Sequence, residues 1–237
     1  MKKMRAGSRA GLLVAVLSLG FVFTGLSGCS PTEFNKLSVA SEQHSEDMED
    51  DHESEPTLLE EMAACARASS SQISVVNSGA KKLTAFLARC EKETGSKSWC
   101  SQVARPNPDS IGTFRCTYSV EQAHVFVHPD ESTWKYAIGA IKLVQDLVKQ
   151  GVKVSVIYNW WRPEPYNKNV GGAAGRHPQG TSVDVRFASK TEQNKAQKAL
   201  CIMRKAGKLR ALGYYSGTGL HLGMGDSSAN TWGKSCP

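Results

Sequence analysis

The stretch His177-Pro178-Gln179-Gly180-Thr181-Ser182-Val183-Asp184-Val185-Arg186-Phe187 decides the fold. Pro178 and Gly180 punctuate a tight turn, and a short apolar strand follows from Val183 to Phe187. Upstream, Val152, Val154 and Val156 alternate with polar residues as a strand that leads into Tyr158-Asn159-Trp160-Trp161-Arg162. A Gly- and Asn-rich loop from Pro163 to about Gly180 joins the two strands. Before them, Trp134, Ala137, Ile138, Ile141, Val144 and Val148 form one apolar helix face that Gly151 ends. Ala123, Val125 and Val127 alternate with His124, Phe126 and His128, which predicts another strand. Downstream, Ser189 and Glu192 form a capping box for a helix ending near Gly207, and 212–232 reads as turns and short strands. The mixture predicts an α+β domain over 112–237, of roughly 120 residues and within single-domain size.

His177 sits at the loop-to-strand junction, Asp184 projects from the strand, and His221 comes from a later one. Two histidines and a carboxylate are a common catalytic zinc set, because three protein ligands leave a fourth position for water or substrate. His124 and His128 are also four apart, but the strand pattern and Pro129 argue against a metal-binding helix there.

The residues around the set carry a resemblance. Trp160-Trp161-Arg162-Pro163-Glu164-Pro165-Tyr166-Asn167 is followed by Val170-Gly171-Gly172-Ala173 and by His177 through Asp184. Gly213-Tyr214-Tyr215, His221 and Trp232 come later, in order. This succession over 158–232 resembles the M15 family of zinc peptidases, relatives of the D-alanyl-D-alanine carboxypeptidases that act on peptidoglycan. The resemblance implies a small antiparallel sheet with flanking helices around a zinc cleft. It implies Zn2+ held by His177, Asp184 and His221, with Arg162 pointing into the cleft. There a guanidinium binds a peptide carboxylate or a developing oxyanion. Tyr166 and Asn167 shape the loop. Trp160 and Trp161 are divided between the cleft wall and the core.

The chain departs from the family where the general base belongs. Many members carry Glu three residues before the last histidine, where this chain has Thr218; others carry Asp or His two residues after it, where it has Gly223. Gly175 and Ser182 also replace the usual Ser and Ala. Asp226 and Glu164 are the nearest carboxylates along the chain. Two functions stay open: hydrolysis of stem peptides or crosslinks of peptidoglycan, or binding of the cell wall by a zinc-retaining relative that has lost its base.

The remainder of the chain concerns location. Lys2, Lys3, Arg5 and Arg9 precede an apolar run from Gly11 to about Thr24, as in a secretory signal peptide over 1–28. Leu26-Ser27-Gly28-Cys29 resembles a bacterial lipoprotein box, which makes Cys29 the lipidation site and a membrane the partner of the anchor. Ser30 does not resemble an inner-membrane retention signal, so an outer-membrane anchor facing the periplasm is expected. Residues 29–56 are acidic and poor in aromatics, an expected disordered tether in which His44 and His52 are solvated. Two helices are predicted over 57–111, on the runs Leu58, Leu59, Met62, Ala63 and Leu83, Phe86, Leu87.

Cys65, Cys90, Cys100, Cys116, Cys201 and Cys236 are an even set in an exported chain and read as disulfides. A Cys201–Cys236 pair would pin the tail onto the last helix. The net charge is +7, but residues 30–61 hold eleven acids against Lys36, and from Met62 on there are 24 basic and 11 acidic residues. A basic body suits an anionic polymer such as peptidoglycan. Nucleic acid would suit the charge too, but the expected export argues against it as a partner.

Overall fold

The computed structural model describes residues 65–120 and 125–236. The predicted signal segment, Cys29, the acidic tether, His44, His52, the first helical run (Leu58 to Ala63) and His124 lie outside the described residues.

The region ahead of the sheet holds more helix than its apolar periodicity predicts. Helices α1 (Ser70–Ala80), α2 (Leu83–Thr94), α3 (Lys97–Val103) and α4 (Ile111–Tyr118) follow one another, with a 3-10 turn at Pro108–Ser110. The α1 helix is rich in serine and buries only Val76 and Gly79; a capping box between Ser69 and Gln72 starts it. Gly95, in the left-handed conformation, ends α2. The six described cysteines form the pairs Cys65–Cys116, Cys90–Cys100 and Cys201–Cys236. The last is the pairing expected from the sequence.

Val125–His128 belongs to no strand, contrary to the alternation. Phe126 and Val127 are both buried, and the amide of Phe126 donates to Ala104 O at 2.7 Å, so this segment packs as a single extended pass between helices. Alternation requires a ladder neighbour to become a strand, and among the described residues no strand pairs with this segment.

Helix α5 (Trp134–Lys149) turns its apolar face inward, as its spacing predicts, burying Trp134, Ile138, Ile141 and Leu147. Then come β1 (Val154–Tyr158), the short α6 (Tyr166–Asn169), a 3-10 turn at His177–Gln179 and β2 (Ser182–Phe187). Helix α7 (Lys190–Lys205), β3 (Ala211–Tyr214), β4 (Gly219–Gly223) and β5 (Thr231–Trp232) complete the fold. Ser189 caps α7 through the amide of Glu192, but the Glu192 carboxylate turns to the Lys153 amide at 2.8 Å, so only half of the expected capping box forms.

The sheet has the order β1-β2-β4-β3-β5. All pairs are antiparallel except β3 with β5, a parallel edge that the expected antiparallel sheet did not include. Val183, Val185 and Phe187 of β2 and Leu220 and Leu222 of β4 are buried in the core beside α5 and α7. Side chains alternate along a strand, so Asp184 and His221 point to the opposite face. The observed class is thus α+β: a five-stranded sheet with flanking helices.

Candidate metal centre

The register of the sheet builds the site. Tyr158 pairs with Asp184, Asp184 with His221, His221 with Gly213, and Gly213 with Trp232. Directly opposed residues share a face, so one row crosses all five strands. Gly213 must lack a side chain: a Cβ there would stand 2.2 Å from the Trp232 ring, which lies over it and reaches 4.8 Å from the His221 ring.

His177 joins this row from the turn ahead of β2. Two buried indoles hold that turn from behind. Trp160 Nε1 donates to Gly180 O at 2.8 Å, and Trp161 Nε1 donates to Pro178 O at 3.1 Å. Trp160 stacks on Phe86, and both indoles belong to the core rather than to the cleft wall. Gly180 takes φ +65°, and a Cβ on it would meet the His128 ring at 2.9 Å. His128 therefore packs against the turn that carries His177.

His177, Asp184 and His221 are all buried. His177 Nε2 and His221 Nδ1 are 3.2 Å apart, His221 Nδ1 and Asp184 Oδ1 are 3.2 Å apart, and His177 Nε2 and Asp184 Oδ1 are 3.4 Å apart. The donor atoms thus form a nearly equilateral triangle. A tetrahedral cation with bonds of about 2.0–2.1 Å separates its ligands by about 3.3–3.4 Å, so these atoms need almost no movement to hold one. The spacing fits an ion of that size, and the group could hold a metal ion.

The surroundings prepare each ligand. His177 Nδ1 lies 3.1 Å from Trp160 O, which fixes the tautomer and leaves the Nε2 lone pair for the metal. Asn159 donates to Asp184 Oδ2 at 3.2 Å, and the Tyr215 hydroxyl donates to Asp184 Oδ1 at 3.0 Å. Asn159 reaches this position with φ +50°, a left-handed conformation that asparagine tolerates better than most residues.

Burial pushes the His177 pKa down, favouring the neutral ring that a metal needs. Burial works to raise Asp184, but the two histidines outweigh it and hold the carboxyl well below the usual range. Burial also works against charge on His221, yet its hydrogen bonds to Asp184 and Asp226 prevail and raise it. Burial and the neighbouring Asp184 raise the Tyr215 phenol, which stays protonated as a donor.

The cleft over this face encloses about 370 Å³ and includes the three ligands, Arg162, Arg176 and Tyr215 among its walls. The amide of Arg162 donates to His177 O at 3.1 Å, tying the arginine to the ligand turn. Its Nε is buried without a hydrogen-bond partner. Asn167 braces the opposite wall by donating to Glu164 Oε1 at 2.9 Å and Gly172 O at 3.1 Å, while Tyr166 OH meets Ser110 Oγ at 2.7 Å.

Neither carboxylate near the site in sequence serves the cleft. Glu164 is engaged by Asn167 and the Lys168 amide, and Asp226 lies behind His221, 3.2 Å from its Nε2. Among the described residues lining the cleft, Asp184 is the only carboxylate. Sequence reasoning missed the contacts of Asn159 and Tyr215 with Asp184; the pairing of Tyr158 with Asp184 was their only signal, and it needs the register. Comparison with protein-family models, with curated proteins and with solved structures finds no match, so the chemistry of the cleft is read from its own atoms.

Proposed function

We propose that this chain is a zinc-dependent peptidase acting on stem peptides or crosslinks of peptidoglycan, exported and anchored through a lipid on Cys29. The observation that carries the proposal is the buried triangle of His177, Asp184 and His221 with sides of 3.2 to 3.4 Å, opening onto a cleft that Arg162 also lines. Zinc in that position supplies a Lewis acid for the scissile carbonyl and an acidified water. Arg162 binds the carboxylate of the peptide or the oxyanion that develops at the attacked carbonyl. Tyr215 keeps Asp184 oriented through its hydroxyl. The surplus of basic residues in the folded body attracts the anionic polymer.

A second reading, a metal-retaining protein that binds cell-wall peptide without cutting it, is favoured by one observation. Asp184 is the only carboxylate among the described cleft residues, and it belongs to the ligand set. A missing general base slows hydrolysis by about 10²–10⁴-fold without weakening peptide binding.

The test is hydrolysis of purified peptidoglycan peptides by the full chain, wild type against His177→Ala, with and without zinc, read by mass spectrometry. Zinc-dependent cleavage that the substitution abolishes is expected, and the product masses name the bond. Binding without cleavage by a zinc-loaded wild type would refute the peptidase and leave the second reading.

A further inference from the structure

Asp226 is the buried acid that this chemistry does not use. It is fully buried, absent from the cleft walls, and held by several partners. Its Oδ1 accepts from Thr181 Oγ1 at 3.0 Å and from Ser182 Oγ at 2.5 Å. Its Oδ2 stands 3.2 Å from His221 Nε2 and 3.7 Å from Arg176 Nε. The Arg176 guanidinium also lies 4.0 Å over the Trp232 ring, which closes the far side of His221.

The chain is shaped to deliver this carboxylate. After β4 the amides of Met224 and Gly225 both donate to Thr181 O at 3.0 Å, folding the strand end back under His221. A Cβ at Gly223 would stand 2.4 Å from Asp226 Oδ2. The carboxylate therefore fills the space into which a side chain at 223 would grow. A buried acid held by two hydroxyls and a guanidinium has no packing reason to face an imidazole nitrogen as well. The imidazole has one: its two nitrogens are linked, and a proton held on Nε2 leaves the lone pair on Nδ1.

We infer that Asp226 is the positioning residue of the metal centre. It holds the proton on His221 Nε2, so that the Nδ1 lone pair faces His177 and Asp184, and it makes the imidazole a stronger donor. The inference rests on the metal-centre reading but not on peptidase activity.

The test measures zinc affinity of the full chain by chelator competition, and the ligand-field absorption of the cobalt-substituted protein. Asp226→Ala is expected to weaken zinc about 10- to 100-fold and to shift the cobalt bands. Asp226→Asn keeps an oxygen that can accept from His221 while the hydroxyls of Thr181 and Ser182 turn to accept from its amide, so its affinity falls between the two. Cys90→Ser/Cys100→Ser removes a disulfide outside the cleft walls and should leave affinity and spectrum unchanged. A folded Asp226→Ala protein with wild-type zinc affinity and cobalt spectrum overturns the inference. If Asp226→Ala does not fold, Asp226→Asn decides in the same way. A wild type that binds no zinc overturns it together with the metal centre. No readout involves hydrolysis, so failure of the peptidase proposal remains a separate result.

Discussion

Zinc should raise the melting temperature of the full chain, and His177→Ala should abolish most of the rise. In the folded protein three donor atoms stand 3.2 to 3.4 Å from one another, whereas the unfolded chain separates residues 177, 184 and 221. A ligand that binds only the folded state contributes about 2.7 kcal/mol at a concentration 100-fold above its dissociation constant. For a domain of this size each kcal/mol moves the melting temperature by about 2–4 °C, so the expected rise is about 5–11 °C. His177→Ala also removes the contact to Trp160 O and leaves a void, which lowers the metal-free value itself. Each variant is therefore compared with its own chelator-treated form by scanning calorimetry. The sign of the pH dependence follows from His221. Its folded pKa is raised above the ordinary histidine value, so its proton stabilises the metal-free protein fully below about pH 6.5 and that contribution fades as pH rises through the folded value. Zinc takes the place of that proton, so the zinc-induced rise should grow with pH over the same window. An equal rise in wild type and His177→Ala would refute the site and direct attention to His44, His52 and the acidic stretch around them.

Two further outcomes follow from the same geometry. Arg162→Ala should cut kcat/KM for peptidoglycan peptides by about 10²–10³-fold if the guanidinium meets developing charge, with the zinc-induced melting shift intact; unchanged kinetics would assign Arg162 to structure alone. Cys201→Ser/Cys236→Ser opens a link between residues 35 apart, and chain-entropy arithmetic gives a loss of about 4 kcal/mol, read as a lower urea midpoint under non-reducing conditions; an unchanged midpoint would count against this pairing.

Much of this was legible in the sequence because it is periodic or punctuated. The apolar stripe of α5, the Ser189 cap of α7 and the turn at Gly180 each leave a local mark, and the structure places each of them there. The helices ahead of the sheet were harder to read. The α1 helix has few apolar residues to repeat, and its start is marked only by Ser69 and Gln72. Val125–His128 carried the opposite error, since alternating residues without a ladder partner remain a single pass of chain. The candidate ligands were legible as a set of residue types, because His177, Asp184 and His221 are donors of the kind a divalent cation takes. Their supports were not. A search for a base at a strand period after His221 stops at Gly223, whereas the chain turns back there and returns a carboxylate three residues later.

The register explains why such supports escape a linear reading. The row from Tyr158 through Asp184, His221 and Gly213 to Trp232 joins residues up to 74 positions apart, and each member acts on its neighbour across a strand. A slip of one residue between β2 and β4 would turn Asp184 or His221 to the core face, because side chains alternate. The core residues Val183, Val185, Leu220 and Leu222 prevent that slip, since exchanging them with Asp184 and His221 would bury charge against α5 and α7. The apolar half of each strand thus does for the candidate metal centre what none of its three residues can do for itself. It holds Asp184 opposite His221 and keeps both beneath the turn that carries His177. The carboxylate–histidine contact is specified by hydrophobic burial on the other side of the sheet.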